Sequence, residues 1–170
     1  MKNNFYVFLD IDGVLWDWKF LLSRKEKCKG VITKFNPESI EALNFLTEIL
    51  SKEYNIKIVL SSSWRANFEK IKNILIENNL HYASVMDKTP STSPRKLRGR
   101  EIWAYLKSAN YDDEKDDFVI IDDETFDLKS LFPENKIIKT SMLNNCLSIN
   151  MVKQYLKEKN TNKIFEEIFQ

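Results

Sequence analysis

The sequence predicts an α/β protein with a mostly parallel central sheet, and three observations support this prediction. Short apolar runs of strand length alternate with longer segments in which apolar residues recur at helical spacing. The short runs are apolar throughout, as in strands that are buried on both faces. Polar, reactive side chains directly follow three of these runs. Ligands of parallel sheets bind beyond the carboxyl ends of the strands, so we expect the functional site at that edge.

The composition is that of one globular domain, which we predict to span residues 1–170. The chain has 43% hydrophobic and 30% charged residues. Its 26 Lys and Arg against 25 Asp and Glu leave a net charge of +1, so contact with a polyanion needs a local patch. Cys28 and Cys146 are too few for a disulfide framework. No apolar segment is long enough for a membrane span or a signal peptide, and the expected location is the cytoplasm.

The first half of the chain predicts two strands and two helices. The apolar runs 5–9 and 56–60 are the strands. A helix is expected to begin at Pro37 with Asn36 as its N-cap, because apolar residues then recur every three or four positions. A second helix is predicted over 64–79, followed by a possible short strand over 83–86. Prolines and hydroxyl residues predict a loop over 89–98.

The second half predicts two more strands and two more helices. A helix is expected from Gly99 to about residue 109, and an acidic turn over 112–117 precedes the strand 118–121. A strand over 136–139 and a terminal helix over 147–159 complete the chain. Trp64 and Trp103 lie at helical positions among apolar residues, so we expect both in the core.

Four carboxylates follow two of the predicted strands. Asp10 and Asp12 come directly after the run 5–9, and Asp122 and Asp123 come after the run 118–121. Carboxylates this close repel one another, and one would take up a proton unless a cation neutralised them. Three or four carboxylates at one point suit Mg²⁺, which binds a few carboxylates together with water and substrate phosphate.

The same sheet edge has the groups that phosphoryl transfer requires. A carboxylate can attack phosphorus to form an aspartyl-phosphate, a metal can shield the two anions, and a second carboxyl can give and take the proton. Ser61 and Ser62 follow the run 56–60 and offer donors for phosphate oxygens, although Ser61–Ser63 could equally cap the next helix. The basic run 95–100 offers a cation, or it is a solvated loop.

These residues resemble, in order, the four motifs of the haloacid dehalogenase (HAD) superfamily. The motifs are Asp10-Ile11-Asp12-Gly13-Val14, Ser61 after a strand, a basic residue before a helix, and Ile121-Asp122-Asp123. Finer details resemble the phosphatase domain of Swiss-Army-knife RNA repair proteins, a relative of the phosphatase half of polynucleotide kinase-phosphatases. These details are Ser62-Ser63-Trp64-Arg65, Thr89-Pro90, Arg98-Gly99-Arg100-Glu101-Ile102 and Asp122-Asp123-Glu124. The resemblance implies a three-layer, Rossmann-like fold.

The resemblance also implies roles at the carboxylate positions. Asp10 would be the nucleophile and a metal ligand. Asp12 would be the general acid and base, with its backbone carbonyl on the metal. Asp122 and Asp123 would complete the Mg²⁺ site directly or through water.

Phosphate binding is implied for the second and third motifs. Ser61, with Ser62 as its neighbour, would bind the phosphoryl group. The third motif departs from the family pattern, because members usually place a lysine there and Arg98, Lys96 and Arg100 compete here. We favour Arg98, which stands just before a helix, with Lys96 as the next candidate.

No large cap domain is expected over the site. The segments 15–35 and 86–96 stand where the superfamily inserts caps, and both are shorter than the ~50 residues of a small domain. A short flap at about 15–36 would leave the site open, as in capless members that act on macromolecular ends. The flap either covers the site or follows a phosphate backbone and stacks on bases. Its basic residues are Lys19, Arg24, Lys25, Lys27, Lys29 and Lys34, interleaved with Trp16, Trp18 and Phe20.

The sequence thus predicts a Mg²⁺-dependent phosphatase that works through an aspartyl-phosphate. The expected substrates are phosphorylated RNA or DNA ends, above all 3′-phosphates. One alternative is a small-molecule 5′-nucleotidase or other phosphomonoesterase, and another is a non-catalytic domain that binds phosphate or a partner. The chain has no GxxxxGK[ST] loop, so it encodes no fused kinase activity.

Overall fold

The computed structural model describes residues 2–23, 33–91 and 97–159. Its sheet has the order β3-β2-β1-β4-β5, and all four pairings between neighbouring strands are parallel. This confirms the predicted α/β class with a parallel central sheet. The strands are β1 (Asn4–Leu9), β2 (Asn55–Leu60), β3 (Asp87–Lys88), β4 (Asp117–Asp122) and β5 (Ile137–Lys139).

Five α-helices lie in the described part of the chain. They are α1 (Trp18–Ser23), α2 (Pro37–Ser51), α3 (Phe68–Glu77), α4 (Arg98–Ser108) and α5 (Ile149–Glu158). Helix α2 begins as predicted, and the side chain of Asn36 accepts the backbone N–H of Glu38 at 3.1 Å. Helix α5 begins at Ile149, two residues later than predicted, because Ser148 is its N-cap. None of the described helices is long and apolar enough to cross a membrane.

Side chains of β1 alternate between two hydrophobic cores. Phe5, Val7 and Leu9 pack on the face that α2, α3 and α5 cover, whereas Tyr6 and Phe8 pack on the face that α4 covers. Helices therefore lie on both sides of the sheet, in the three-layer arrangement that the resemblance implies. This double cover explains why the strands are apolar throughout rather than alternating.

The register of the sheet brings three polar residues to one level. Leu9 pairs with Leu60 on one side and with Ile121 on the other. The next residues are Asp10, Ser61 and Asp122, and their backbones remain within the hydrogen-bond ladder: Ser61 N donates to Leu9 O at 2.9 Å, and Asp10 N donates to Ile121 O at 3.1 Å. By alternation, all three side chains fall on the face that α4 covers.

Two predicted elements differ from the structure. The helix expected over 64–79 begins as a 3₁₀ helix, Ser63–Asn67, and becomes α-helical only at Phe68, because Asn67 leaves helical geometry with φ −115° and ψ 48°. The short strand expected over 83–86 is instead a 3₁₀ helix, Ala83–Val85. The residues that pair with β2 are Asp87 and Lys88, which directly follow the predicted strand.

The two tryptophans expected in the core lie at its edges. Trp64 is half-buried at the border of the larger core, and Trp103 is 51% exposed. In α4 the side chains facing the sheet are Ile102 and Leu106, so Trp103 is turned by about 100° from Ile102. It stacks on Phe132 instead, with ring centroids 6.1 Å apart.

Candidate active site

Three carboxylates meet at the carboxyl edge of β1 and β4. Oxygens of Asp10, Asp122 and Asp123 all lie within 4.8 Å of one another. Asp10 and Asp122 are buried, and Asp123 is half-buried. The loop after β1 approaches this group closely, because a Cβ on Gly13 would lie 2.5 Å from Cγ of Asp123, and Gly13 has φ +71°. Glycine is therefore required at this turn.

Arg98 is the cation that contacts these acids. Its Nη1 lies 2.9 Å from Oδ1 of Asp10 and 2.6 Å from Oδ2 of Asp122. Burial lowers the pKa of the Arg98 guanidinium, but the two carboxylates outweigh burial and raise it above its ordinary value. Arg98 therefore stays charged.

Arg98 is held in place by the start of α4. The next residue, Gly99, donates its backbone N–H to Oδ2 of Asp127 at 2.8 Å. A Cβ on Gly99 would lie 2.7 Å from Cδ1 of Leu131, so the first turn of the helix packs tightly against this segment. Of the competing cations, Arg100 is exposed, and Lys96 lies outside the described residues. The structure thus brings Arg98 to the acids.

The acidic cluster carries more negative charge than Arg98 can balance. Burial raises the pKa of Asp122 to about 7, and the nearby charge of Asp10 adds to the increase. Burial likewise raises the pKa of Asp10 and of Asp123. When all three carboxylates are ionised, the single guanidinium leaves two negative charges unbalanced, and burial makes this surplus unfavourable unless a cation binds. Hard oxygen ligands with that surplus fit a divalent cation such as Mg²⁺.

The two buried serines after β2 make different contacts. Ser62 donates its hydroxyl to the Asp10 carboxylate and accepts the backbone N–H of Trp64 at 3.4 Å. The hydroxyl of Ser61 is buried and has no hydrogen-bond partner among the described residues. Buried polar atoms are nearly always bonded, so this hydroxyl is available for a ligand oxygen. Capping, one of the two alternatives for the serine run, is thus carried out by Ser62, and the hydroxyl of Ser61 takes no part in it.

Asp12 lies apart from the carboxylate cluster. Its carboxylate accepts the indole N–H of Trp16 at 3.0 Å and the indole N–H of Trp64 at 3.0 and 2.9 Å, one distance for each oxygen. The side chain is therefore not among the clustered metal-ligand candidates, and only its backbone carbonyl remains as the predicted ligand. Sequence reasoning gave neither tryptophan a role at Asp12.

A second pair beside the site also escaped sequence reasoning. Nη2 of Arg65 lies 2.5 Å from Oε1 of Glu101, and both side chains are largely buried. Nη1 of Arg65 donates to the carbonyl oxygen of Ser62 at 3.1 Å. The pair links the first turn of α4 to the serine that binds Asp10. The only sequence signals were the family motifs Ser62-Ser63-Trp64-Arg65 and Arg98-Gly99-Arg100-Glu101-Ile102, which contain the two residues but do not indicate that they pair.

Part of the predicted flap is described. Its described residues are 15–23, which include α1, and 33–36. Trp16 and Trp18 make an edge-to-face contact with ring centroids 5.9 Å apart. Trp18 is 49% exposed. Four of the flap's basic residues lie outside the described ranges, and their predicted contact with a phosphate backbone lies outside them too. These residues are Arg24, Lys25, Lys27 and Lys29.

Most of the chain matches a known protein family. Residues 6–144 match the family model for the HAD domain in Swiss Army Knife RNA repair proteins. The matched range contains the carboxylate cluster, both serines and Arg98. No curated protein matches the chain.

Proposed function

Because the chain belongs to the family of HAD domains in Swiss Army Knife RNA repair proteins, we propose that it is a Mg²⁺-dependent phosphatase acting on nucleic-acid 3′-phosphate ends. Membership makes it a HAD-type domain of the RNA repair context. The observation that carries the proposal is the convergence of Asp10, Asp122 and Arg98, within 2.9 Å contacts, beside the unpartnered hydroxyl of Ser61.

Asp10 is the nucleophile in this proposal. One of its oxygens attacks phosphorus, and the bond between phosphorus and the ester oxygen breaks, which leaves an aspartyl-phosphate. Asp12 gives its proton to the leaving oxygen. A water molecule then attacks phosphorus, Asp12 takes a proton from that water, and inorganic phosphate leaves as the Asp10 carboxylate is restored.

Arg98 and Ser61 bind the phosphoryl group in both steps, and Ser62 supports them by holding Asp10. The guanidinium of Arg98 is already 2.9 Å from Asp10 and balances charge on the phosphoryl oxygens. The hydroxyl of Ser61 donates to one of these oxygens, which supplies the partner that it lacks. Ser62 fixes the attacking carboxylate through its own hydroxyl.

The metal site is proposed on Asp10, Asp122 and Asp123, with the backbone carbonyl of Asp12. When bound there, Mg²⁺ would reduce the repulsion between the carboxylate and the phosphate anion and orient the phosphate. The two negative charges that Arg98 leaves unbalanced, and the all-oxygen donor set, support this assignment.

Phosphate release from three substrates tests the proposal. They are an oligonucleotide with a 3′-phosphate, one with a 5′-phosphate, and a 5′-mononucleotide, each with Mg²⁺ and with EDTA. We expect Mg²⁺-dependent release that is fastest from the 3′-phosphate. Preference for the mononucleotide would instead support a nucleotidase, and no release from a folded protein would support a binding domain.

A matched pair of variants separates the chemistry from the fold. Asp10→Asn removes the nucleophile and should abolish turnover, whereas Asp113→Asn changes an exposed acid of the turn before β4 and should leave turnover intact. Circular dichroism should show both variants folded. Turnover retained by Asp10→Asn would refute the aspartyl-phosphate mechanism.

A further inference from the structure

A cavity of about 360 Å³ opens beside the proposed catalytic centre. Its walls come from the 3₁₀ helix after β2, the segment after β3 and the first turn of α4. Arg98 lines the cavity and also contacts Asp10, so the cavity and the acidic cluster share this residue. Its volume lies within the range of small-ligand sites.

The chemistry of the cavity wall suits an anion. Three cations line it, Arg65, Lys88 and Arg98, against one carboxylate, that of Glu101. Hydroxyl groups of Ser63, Thr89 and Ser91 line it as well. No aromatic side chain is among the described lining residues, so the wall offers charge and hydrogen bonds rather than a stacking surface for a base.

Two of the cations differ in how they are held. Arg65 is fixed by Glu101 and by the carbonyl of Ser62, which orients a guanidinium with five N–H donors before any ligand arrives. Lys88 makes no ion pair with a described carboxylate, and its ammonium lies 5.2 Å from the ring centroid of Phe68. The Lys88 ammonium therefore has no described carboxylate at ion-pair distance, and its N–H donors are free to contact a ligand in the cavity.

We propose that this cavity binds the phosphodiester adjacent to the terminal phosphate of the substrate, with Lys88 as the charge that recognises it. The proposal rests on the proposed function. The terminal phosphate would lie at Asp10 and Ser61, on one side of Arg98. Glu101, which holds Arg65 in the cavity wall, stands three residues after Arg98 in α4, a rise of about 4.5 Å along the helix axis. Two phosphates joined through one nucleoside would then occupy the two sides of Arg98.

Three substrates isolate the charge of the second phosphate. The first is a dinucleotide with a 3′-terminal phosphate and a normal phosphodiester link. The second is the same dinucleotide with an uncharged methylphosphonate link, and the third is a nucleoside 3′-monophosphate. We expect KM for the phosphodiester substrate to be about tenfold below that of the methylphosphonate substrate, because a charge-assisted contact is lost. Equal KM values would overturn the proposal.

Lys88→Gln assigns the effect to the cavity, and Lys107→Gln, an exposed lysine near the other end of α4, is its control. Lys88→Gln should raise KM for the phosphodiester substrate about tenfold, far more than for the methylphosphonate substrate, with little change in kcat. Lys107→Gln should change neither. An equal effect of Lys88→Gln on both dinucleotides would overturn the assignment.

Failure of the proposed function has a different signature. If no substrate releases phosphate, binding of the phosphodiester dinucleotide to the Asp10→Asn protein can still be measured by calorimetry. Weaker binding after adding Lys88→Gln, but not after adding Lys107→Gln, would support the cavity without the reaction. Unchanged binding in both would overturn it.

Discussion

Trp64 donates its indole N–H to both carboxylate oxygens of Asp12, at 3.0 and 2.9 Å, across 52 residues of sequence. Trp16, four residues after Asp12, donates to Oδ1 of the same carboxylate at 3.0 Å. An indole N–H can only donate, so each ring offers the carboxylate a hydrogen bond and no competing acceptor. Asp12 is thus oriented by two rings from separate elements, which matches a group that must deliver a proton to one position.

Replacing Trp64 by Phe should therefore slow proton delivery more than it harms the fold. The phenyl ring can keep the edge contact with Phe35, while both hydrogen bonds to Asp12 are lost. We expect kcat to fall about tenfold for a nucleoside 3′-phosphate, whose alkoxide needs a proton, and much less for p-nitrophenyl phosphate, whose phenolate leaves without one. Steady-state kinetics on both substrates measures the difference.

Trp103→Phe is the matched control, because this exposed indole stacks only at the surface against Phe132. It should leave both rates unchanged. A fall of equal size on both substrates in Trp64→Phe would mean that the ring supports packing rather than the orientation of Asp12.

The metal-free protein should lose stability as the pH rises from about 4 to 7. Burial raises the pKa of Asp122 from its ordinary value of 3.8 to about 7, so over this range the native state keeps a proton that the unfolded chain has released. The free energy of unfolding falls wherever the native state binds more protons. The expected loss is on the order of 3 kcal/mol, measured by urea denaturation in EDTA.

Two comparisons check the origin of that slope. Asp122→Asn removes the titrating group and should flatten the dependence, and Mg²⁺ added at pH 7 should restore stability to the wild-type protein. Stability that rises between pH 4 and 7 in EDTA would contradict the prediction.

Gly13→Ala should disturb the acidic cluster through Asp123. The added Cβ meets Cγ of Asp123 at 2.5 Å, and φ of +71° is unfavourable for alanine. We expect a loss of about 1–3 kcal/mol in the free energy of unfolding, together with weaker Mg²⁺ binding by calorimetry.

A double-mutant cycle with Asp123→Gly separates the clash from the backbone strain. Removing the Asp123 side chain should recover part of the cost of Gly13→Ala. If the two changes are additive, the close approach of Gly13 to Asp123 is not the cause.

Glu101→Gln should be costly because it leaves the largely buried charge of Arg65 without a carboxylate partner. The two side chains are 11% and 2% exposed, and breaking one side of a buried pair costs about 3–5 kcal/mol. The double variant Glu101→Gln with Arg65→Met should be more stable than Glu101→Gln alone. Thermal unfolding measures both, and a single variant as stable as the wild type would show that the ion pair contributes nothing.

The central part of the site was predictable because it depends on strands. A buried apolar run has a definite end, and parallel register brings those ends together, so Asp10, Ser61 and Asp122 could be placed at one edge before any coordinates were known. Arg98 was favoured because the sequence placed it just before a helix, and in the structure it is the first residue of α4.

The supporting contacts were not predictable, because they join side chains that are distant in sequence. Nothing local indicates that Trp64 reaches Asp12 or that Arg65 reaches Glu101, which is 36 residues away. Both depend on how the 3₁₀ helix Ser63–Asn67 leaves the sheet, and the helical periodicity around it predicted a regular α-helix. Trp103 was misplaced for a related reason, since hydrophobicity alone does not say which side of α4 faces the sheet.

The backbone amide of Asp10, bonded to Ile121 between two central strands, has a consequence for heat inactivation. Amides in such strands exchange with solvent only when the whole molecule opens, whereas edges and loops open locally. The proposed nucleophile therefore keeps its place until the fold itself is lost. On heating, turnover and tertiary structure should therefore be lost at the same temperature. The backbone amide of Asp10 should also take up deuterium slowly.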